Sequence, residues 1–184
     1  MILREAQKLI LKYGYPKVTM TDIANACKIS RTTLYKSYPN KESIVVGLIN
    51  ESLEHKIRET EGLALSDLSF RGKLECFFDV WTLQPAASVI ELDTGRDILQ
   101  NVSSYAPDAV NNHYEIFQAM LAELIRGVLP TDSSLDAQDL AYIFSVTSRG
   151  LKADAQTLET LTNQIDLLID IIIKTVKPVF SNMT

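Results

Sequence analysis

The stretch from Thr19 to Ser43 constrains this chain more than any other. Thr19 and Asp22 stand three apart in the Thr-x-x-acid form of a capping box, where hydroxyl and carboxylate each satisfy a free backbone group at a helix start. A helix therefore begins near Met20, with Ile23, Ala24 and Cys27 on its inner side. Ser30 is the next residue able to cap a helix, which leaves Lys28 and Ile29 for the turn. That is helix-turn-helix spacing. Asn40, following Pro39, is placed to cap a third helix.

On a helical wheel drawn from Arg31, Leu34 and Tyr38 fall together on one side, while Arg31, Thr32, Tyr35 and Lys36 spread across the other. The outer arc has the chemistry to read duplex DNA. An arginine bridges guanine O6 and N7, a threonine methyl meets a thymine methyl, and the Lys36 ammonium and Tyr35 hydroxyl reach base edges or phosphates. Thr33 and Ser37 flank the arc and suit phosphate oxygens. An ordinary solvated face is the other reading of such a segment. Lys41 sits in the first turn of the third helix, where a cation opposes the helix dipole by about 0.3 to 1 kcal/mol. A DNA phosphate beside it reverses that sign, so Lys41 is expected at the backbone, with a merely tolerated surface lysine as the alternative.

Taken as an ordered set, Tyr13-Gly14-Tyr15, Thr19-Met20-Thr21-Asp22-Ile23-Ala24, Ile29-Ser30, Thr33-Leu34-Tyr35 and Asn40-Lys41-Glu42 resemble the DNA-binding domain of TetR-family (tetracycline-repressor-like) transcriptional regulators. The resemblance runs from about Ile2 to Val46. It departs from the family at Lys28, where a turn glycine is common, at Cys27 in place of alanine, and at Ser37-Tyr38 in place of a Tyr-Phe pair. Carried onto matching positions, it implies DNA contacts from Thr19, Thr21, Ser30, Arg31, Thr32, Thr33, Tyr35, Lys36, Ser37, Tyr38 and Lys41. It also implies a ligand cavity among the helices that follow.

The net charge of −5 conceals an asymmetry: residues 1–50 hold eight Lys and Arg against three Asp and Glu, and residues 51–184 hold ten against twenty. The basic end carries the helix-turn-helix, and the acidic body keeps the protein soluble and orients it. Apolar residues recur at helical spacing along the chain, and the few glycines and prolines fall mostly between such segments. The expected fold is all-α, an N-terminal three-helix DNA-binding domain (residues 1–46) joined to a helical ligand-binding and dimerisation domain (residues 47–184). Cys27 and Cys76 lack metal or CxxC spacing, no signal peptide is visible, and the expected compartment is the cytoplasm.

In order, Ile2, Ala6, Leu9, Ile10 and Tyr13 form a first helical stripe that Gly14 ends in the left-handed conformation. The helix from Asn40 to about Thr60 leaves the DNA-binding unit and enters the body. A helix around Leu74, Phe77, Phe78 and Trp81 is expected to stop before Pro85, and Ala86 to Val102 to form another with Gly95 inside it. Pro107 opens a long helix through Val128, and a loop follows to Ser134. The last two helices, from Asp136 and Thr157, are apolar on more than one face, which requires burial on more than one face. A homodimer interface through these two C-terminal helices, with Leu168 and Ile172 in its seam, is the expectation, an intrachain core the alternative. Asp166, Asp170 and Lys174 exclude a membrane span there.

Neither His55 nor His113 has a metal-ligand partner at helical spacing, and there is no phosphate-cradling glycine loop, GxSxG elbow or HExxH helix. No catalytic residue, metal or cofactor is expected. Trp81, Tyr114, Phe117 and Tyr142 are candidates for the lining of a small-molecule cavity, with His113 or Arg149 as a polar anchor. The expected protein is a homodimeric repressor that leaves a near-palindromic operator when a small molecule binds its body. A dimeric DNA-binding regulator without a small-molecule ligand is the alternative, and a helical enzyme that retains a DNA-binding-like segment the third choice.

Overall fold

The computed structural model describes residues 1–176, and these are helical throughout with no strand. The first helix, α1 (Ile2–Tyr13), buries Ala6 and Ile10, but Tyr13 turns to solvent and Tyr15 takes the inner place instead. Gly14 ends the helix at φ 85° and ψ 147°, not in the left-handed helical region but in an extended region open essentially to glycine alone. Helices α2 (Met20–Ala26) and α3 (Arg31–Ser37) follow with the expected caps. Thr19 and Asp22 form the reciprocal capping box, and the Ser30 hydroxyl accepts from the Thr33 amide at 3.1 Å. The turn between them is a Schellman motif: Lys28 N–H donates to Asn25 O and Ile29 N–H to Ala24 O. Its left-handed position, φ 55°, is held by Lys28 where glycine would be unstrained.

Asn40 caps α4 (Lys41–Thr60), accepting from the Ser43 amide at 2.8 Å. This helix runs through two clusters of buried side chains. Ile44 and Val45 belong to the first, with Ala6, Ile10, Ile23, Ala24 and Leu34, and Leu53 belongs to the second. The second cluster centres on Phe77, Phe78, Trp81 and Phe117, whose rings meet edge to face or stacked at 4.9–6.1 Å.

Helix α5 (Phe70–Phe78) does not stop before Pro85. It continues through a π-helical turn, Asp79–Leu83, into the short α6 (Gln84–Ala87). Pro85 has no amide hydrogen to give, and the widened turn before it lets the chain pass without a sharp stop. The expected helix from Ala86 to Val102 is broken instead, and α7 spans Asp93–Tyr105. Gly95 permits the close packing that follows the break. A Cβ there would lie 1.7 Å from the Val89 carbonyl oxygen, so the first turn of α7 is pressed onto the preceding loop.

Helices α8 (Pro107–Arg126), α9 (Ala137–Asp154) and α10 (Leu158–Val176) start and end close to where the caps and apolar periods place them. In α10, Leu161, Ile165, Leu168, Ile169, Ile172 and Val176 all face the intrachain core. Leu168 and Ile172 are therefore not the dimer seam expected from the sequence. Leu167, 60% exposed, and Ile171, 45% exposed, are the apolar residues that α10 turns outward.

Candidate nucleic-acid interface and adjoining cavity

Helix α3 presents Arg31, Thr32, Thr33, Tyr35, Lys36 and Ser37 to solvent and buries Leu34 against α2. The Arg31 guanidinium lies 5.9 Å from the centroid of the Tyr35 ring, which holds the two side chains together on the outer arc. Thr21 is exposed on α2. Thr19, Ser30 and Thr33 are exposed too, but their hydroxyls are already engaged. Thr19 pairs with the Asp22 carboxylate at 2.6 Å, and Ser30 shares a hydrogen bond with Thr33 at 2.8 Å. Tyr38 departs from the outer set, since its half-buried ring packs into the N-terminal core, and a Cβ at Gly47 would sit 3.2 Å from its Cε1.

Lys41 also differs from the expectation of a lysine free to meet phosphate. Its Nζ donates to the carbonyl oxygens of Tyr15 at 2.7 Å and Val18 at 2.9 Å, and stands 4.1 Å from the Tyr15 ring centroid. Lys41 thus ties the start of α4 to the segment joining α1 and α2. The Tyr15 hydroxyl donates to Glu42 at 3.0 Å; burial first, and then that carboxylate, push its pKa up to about 12.

Tyr15 is also where the N-terminal unit meets the body. Its ring stacks on Tyr105 of α7 with centroids 3.9 Å apart, and the Thr94 hydroxyl at the other end of α7 donates to the Leu11 carbonyl oxygen. Ala106 and Ala109, at the corner of α7 and α8, are buried in the N-terminal cluster. Motion of that corner therefore displaces groups that pack directly on α1 and on the segment before α2.

A cavity of about 430 Å³ opens between these elements, within the ordinary range for small-molecule sites. Its wall takes Ile10 and Tyr15 from the N-terminal unit, a stripe of α4 from Val45 to Lys56, and Val102, Tyr105, His113 and Tyr114 from α7 and α8. Of the residues expected to line a cavity, His113 and Tyr114 stand on this wall. Trp81 and Phe117 do not: they are core residues behind it, and the Trp81 indole donates to Thr60 at 3.0 Å. Tyr142 and Arg149 lie on the exposed side of α9, where the Arg149 guanidinium sits 5.0 Å from the Tyr114 ring centroid. Their side-chain chemistry made them candidates, but the sequence did not say which face of the helix would point inward.

Lys56 is the wall residue that the sequence reading missed. It is 5% exposed, in a helix whose neighbouring charged positions are open to water. Burial, and then the nearby Lys152, lower its pKa from 10.5 to about 7. The same burial, with Lys56 and Lys152, depresses His113 to about 3, so its imidazole is neutral at physiological pH. Among the described residues there is no cluster of side chains suited to hold a metal ion, and no helix is long and apolar enough to cross a membrane.

Residues 2–48 match the family model for bacterial regulatory proteins of the tetR family. The chain is 25% identical over 154 residues to the uncharacterized HTH-type transcriptional regulator YvkB of Bacillus subtilis, covering 76% of this chain and 74% of that one. A transcriptional regulator from Cytophaga hutchinsonii has a similar fold, with a TM-score of 0.75 at 17% identity over 95% of this chain and 96% of the other. So does FadR of Thermus thermophilus, a TetR-family transcriptional repressor solved in complex with lauroyl-CoA, with a TM-score of 0.65 at 19% identity over 95% and 91%.

Proposed function

We infer that the chain is a bacterial transcriptional regulator of the TetR family, whose model its residues 2–48 match, and propose that it is a homodimeric repressor released from its operator by a small molecule in the α1–α4–α7–α8 cavity. The observation that carries this reading is the composition of the wall. It joins Ile10 and Tyr15 of the helix-turn-helix unit to Tyr105 and His113 of the body, so an occupant touches both. The lauroyl-CoA complex of Thermus thermophilus FadR supports a small-molecule effector for this fold.

Arg31, Thr32, Tyr35 and Lys36 read base edges in this account, while Thr21, Ser37 and the caps Thr19, Ser30 and Thr33 meet phosphates. Lys41 positions α4 and offers its remaining N–H to the backbone. Residues 1–46 form the DNA-binding domain and the remainder the regulatory one. A single recognition helix reads a few base pairs, so a near-palindromic site requires two subunits. The exposed apolar residues Tyr142, Ile143 and Val146 of α9, and Leu167 and Ile171 of α10, supply a surface for the second subunit. Gly150 has open space where a Cβ would point, which suits a close approach there.

Occupancy separates the Tyr15–Tyr105 stack or tilts α4, and the two recognition helices no longer meet both half-sites. A ligand that weakens DNA binding 100-fold must itself prefer the DNA-free form 100-fold, a coupling of about 2.7 kcal/mol. Thermal-shift screening of metabolites, followed by fluorescence anisotropy on operator DNA, tests the reading. Ligands that stabilise the protein should lower DNA affinity; one that binds the cavity and leaves DNA affinity unchanged at saturation contradicts it.

A further inference from the structure

The part of α4 that lines the cavity is a single stripe: Val45, Leu48, Ile49, Ser52 and Lys56. At 1.5 Å per residue it extends for about 16 Å, apolar at the end near Tyr15 and cationic at the other. Around Lys56 stand Lys152 from α9, His113 and Tyr114 from α8, and His55 from α4 itself at the rim. The wall contains no Asp or Glu, although beyond residue 50 acids outnumber bases two to one. The Lys56 ammonium has no hydrogen bond or ion pair to any of the described residues; its Nζ stands 5.7 Å from the centroid of the Trp81 ring. A buried cation without a counter-ion is strongly unfavourable, and the depressed pKa of Lys56 is a symptom of that.

We propose that the cavity is built for an elongated apolar molecule ending in a carboxylate, which lies along the α4 stripe and brings to Lys56 the counter-ion that the protein withholds. This rests on the reading of the cavity as the effector site. The carboxylate accepts from the Lys56 ammonium, with Lys152 closing the cationic end. Neutral His113 offers one N–H donor without adding a charge. The apolar body covers Leu48, Ile49, Val102 and Tyr105, and so reaches the stack on Tyr15. Selectivity follows from the unpaired lysine: an uncharged molecule of the same shape leaves Lys56 without a partner, and a cationic one is repelled.

The probes are dodecanoate, 1-dodecanol and dodecylammonium at submicellar concentration, whose extended chains are commensurate with the stripe. Binding to the full chain is read by calorimetry and by fluorescence of Trp81, the sole tryptophan. Dodecanoate should bind at least tenfold more tightly than dodecanol, with dodecylammonium weaker still. Lys56→Met should erase the preference for the acid while preserving dodecanol binding, and Lys152→Met should lower dodecanoate affinity several-fold if the first variant does not fold. Equal binding of acid and alcohol, a preference that survives Lys56→Met, or no binding of dodecanoate overturns the proposal, as does tight binding of lauroyl-CoA without dodecanoate. Operator affinity is measured separately. Lys56-dependent dodecanoate binding that leaves DNA affinity unchanged would retain the carboxylate site and remove the effector reading.

Discussion

Replacing Lys41 with methionine tests how the helix-turn-helix unit is held, because the structure reverses what the local sequence implies. A cation in the first turn of α4 opposes the helix dipole, so its removal alone would gain about 0.3 to 1 kcal/mol. The Lys41 ammonium, however, donates to the carbonyl oxygens of Tyr15 and Val18 and lies against the Tyr15 ring. Hydrogen bonds to charged groups contribute about 1.5 to 3 kcal/mol each, less where water competes, as it does at this partly exposed residue. The ring contact adds about 0.5 to 1 kcal/mol. The losses exceed the gain, and Lys41→Met should cost about 2 kcal/mol net. For a chain of this length that lowers Tm by about 4 to 8 °C, measured without DNA at fixed protein concentration. An unchanged or raised Tm would refute the bracing role. If the third N–H also meets a phosphate, the salt dependence of DNA binding flattens by about one unit of slope on every sequence.

The outward residues of α10 separate assembly from folding: Leu167→Glu or Ile171→Glu should give a folded monomer in sedimentation, whereas Ile172→Glu, at a fully buried position, should unfold the subunit. A dimer that survives both outward substitutions would exclude this seam. Lys28→Gly should stabilise the protein by about 0.5 to 1 kcal/mol, since relief of the left-handed strain exceeds the entropy glycine adds to the unfolded chain, and a fall in Tm would contradict that. Between the folded Lys56 pKa of about 7 and its ordinary 10.5, the unfolded chain binds the extra proton, so folding becomes more favourable as pH rises through that window. Lys56→Met should therefore be more stable than wild type at pH 7, with the gap narrowing by up to about 1.4 kcal/mol per pH unit towards pH 9; a constant gap would refute the buried charge.

Local chemistry was readable where a helix end depends on its own neighbours. Thr19 with Asp22, Ser30, and Asn40 cap the helices they were expected to cap, and Pro107 opens α8. What escaped the sequence depends on groups far apart along the chain. The Val89 carbonyl that excludes any side chain at Gly95 is set by a turn, not by a period. Lys41 meets Tyr15 across 26 residues, which no window of helical periodicity samples. In α10, apolar residues on adjacent faces left a dimer seam and an intrachain core as alternatives, and the packing of α5 and α9 against it decided which residues turned outward. Lys56 did leave a trace. It shares a helical face with Ile49, Leu53 and Thr60, an inward position that a lysine seldom takes without a partner. The wall around it could not be foreseen, because it gathers side chains from α1, α4, α7, α8 and α9.

A dimer that presents two copies of α3 to DNA should select its own site from random duplexes, and that selection is carried out with the purified protein. The expected result is enrichment of a near-palindromic site whose two half-sites are about one helical turn, 34 to 36 Å, or a multiple of it apart, with binding lost on Arg31→Ala at the selected guanines. Enrichment of a single unpaired half-site, or no enrichment over the starting pool, would contradict it.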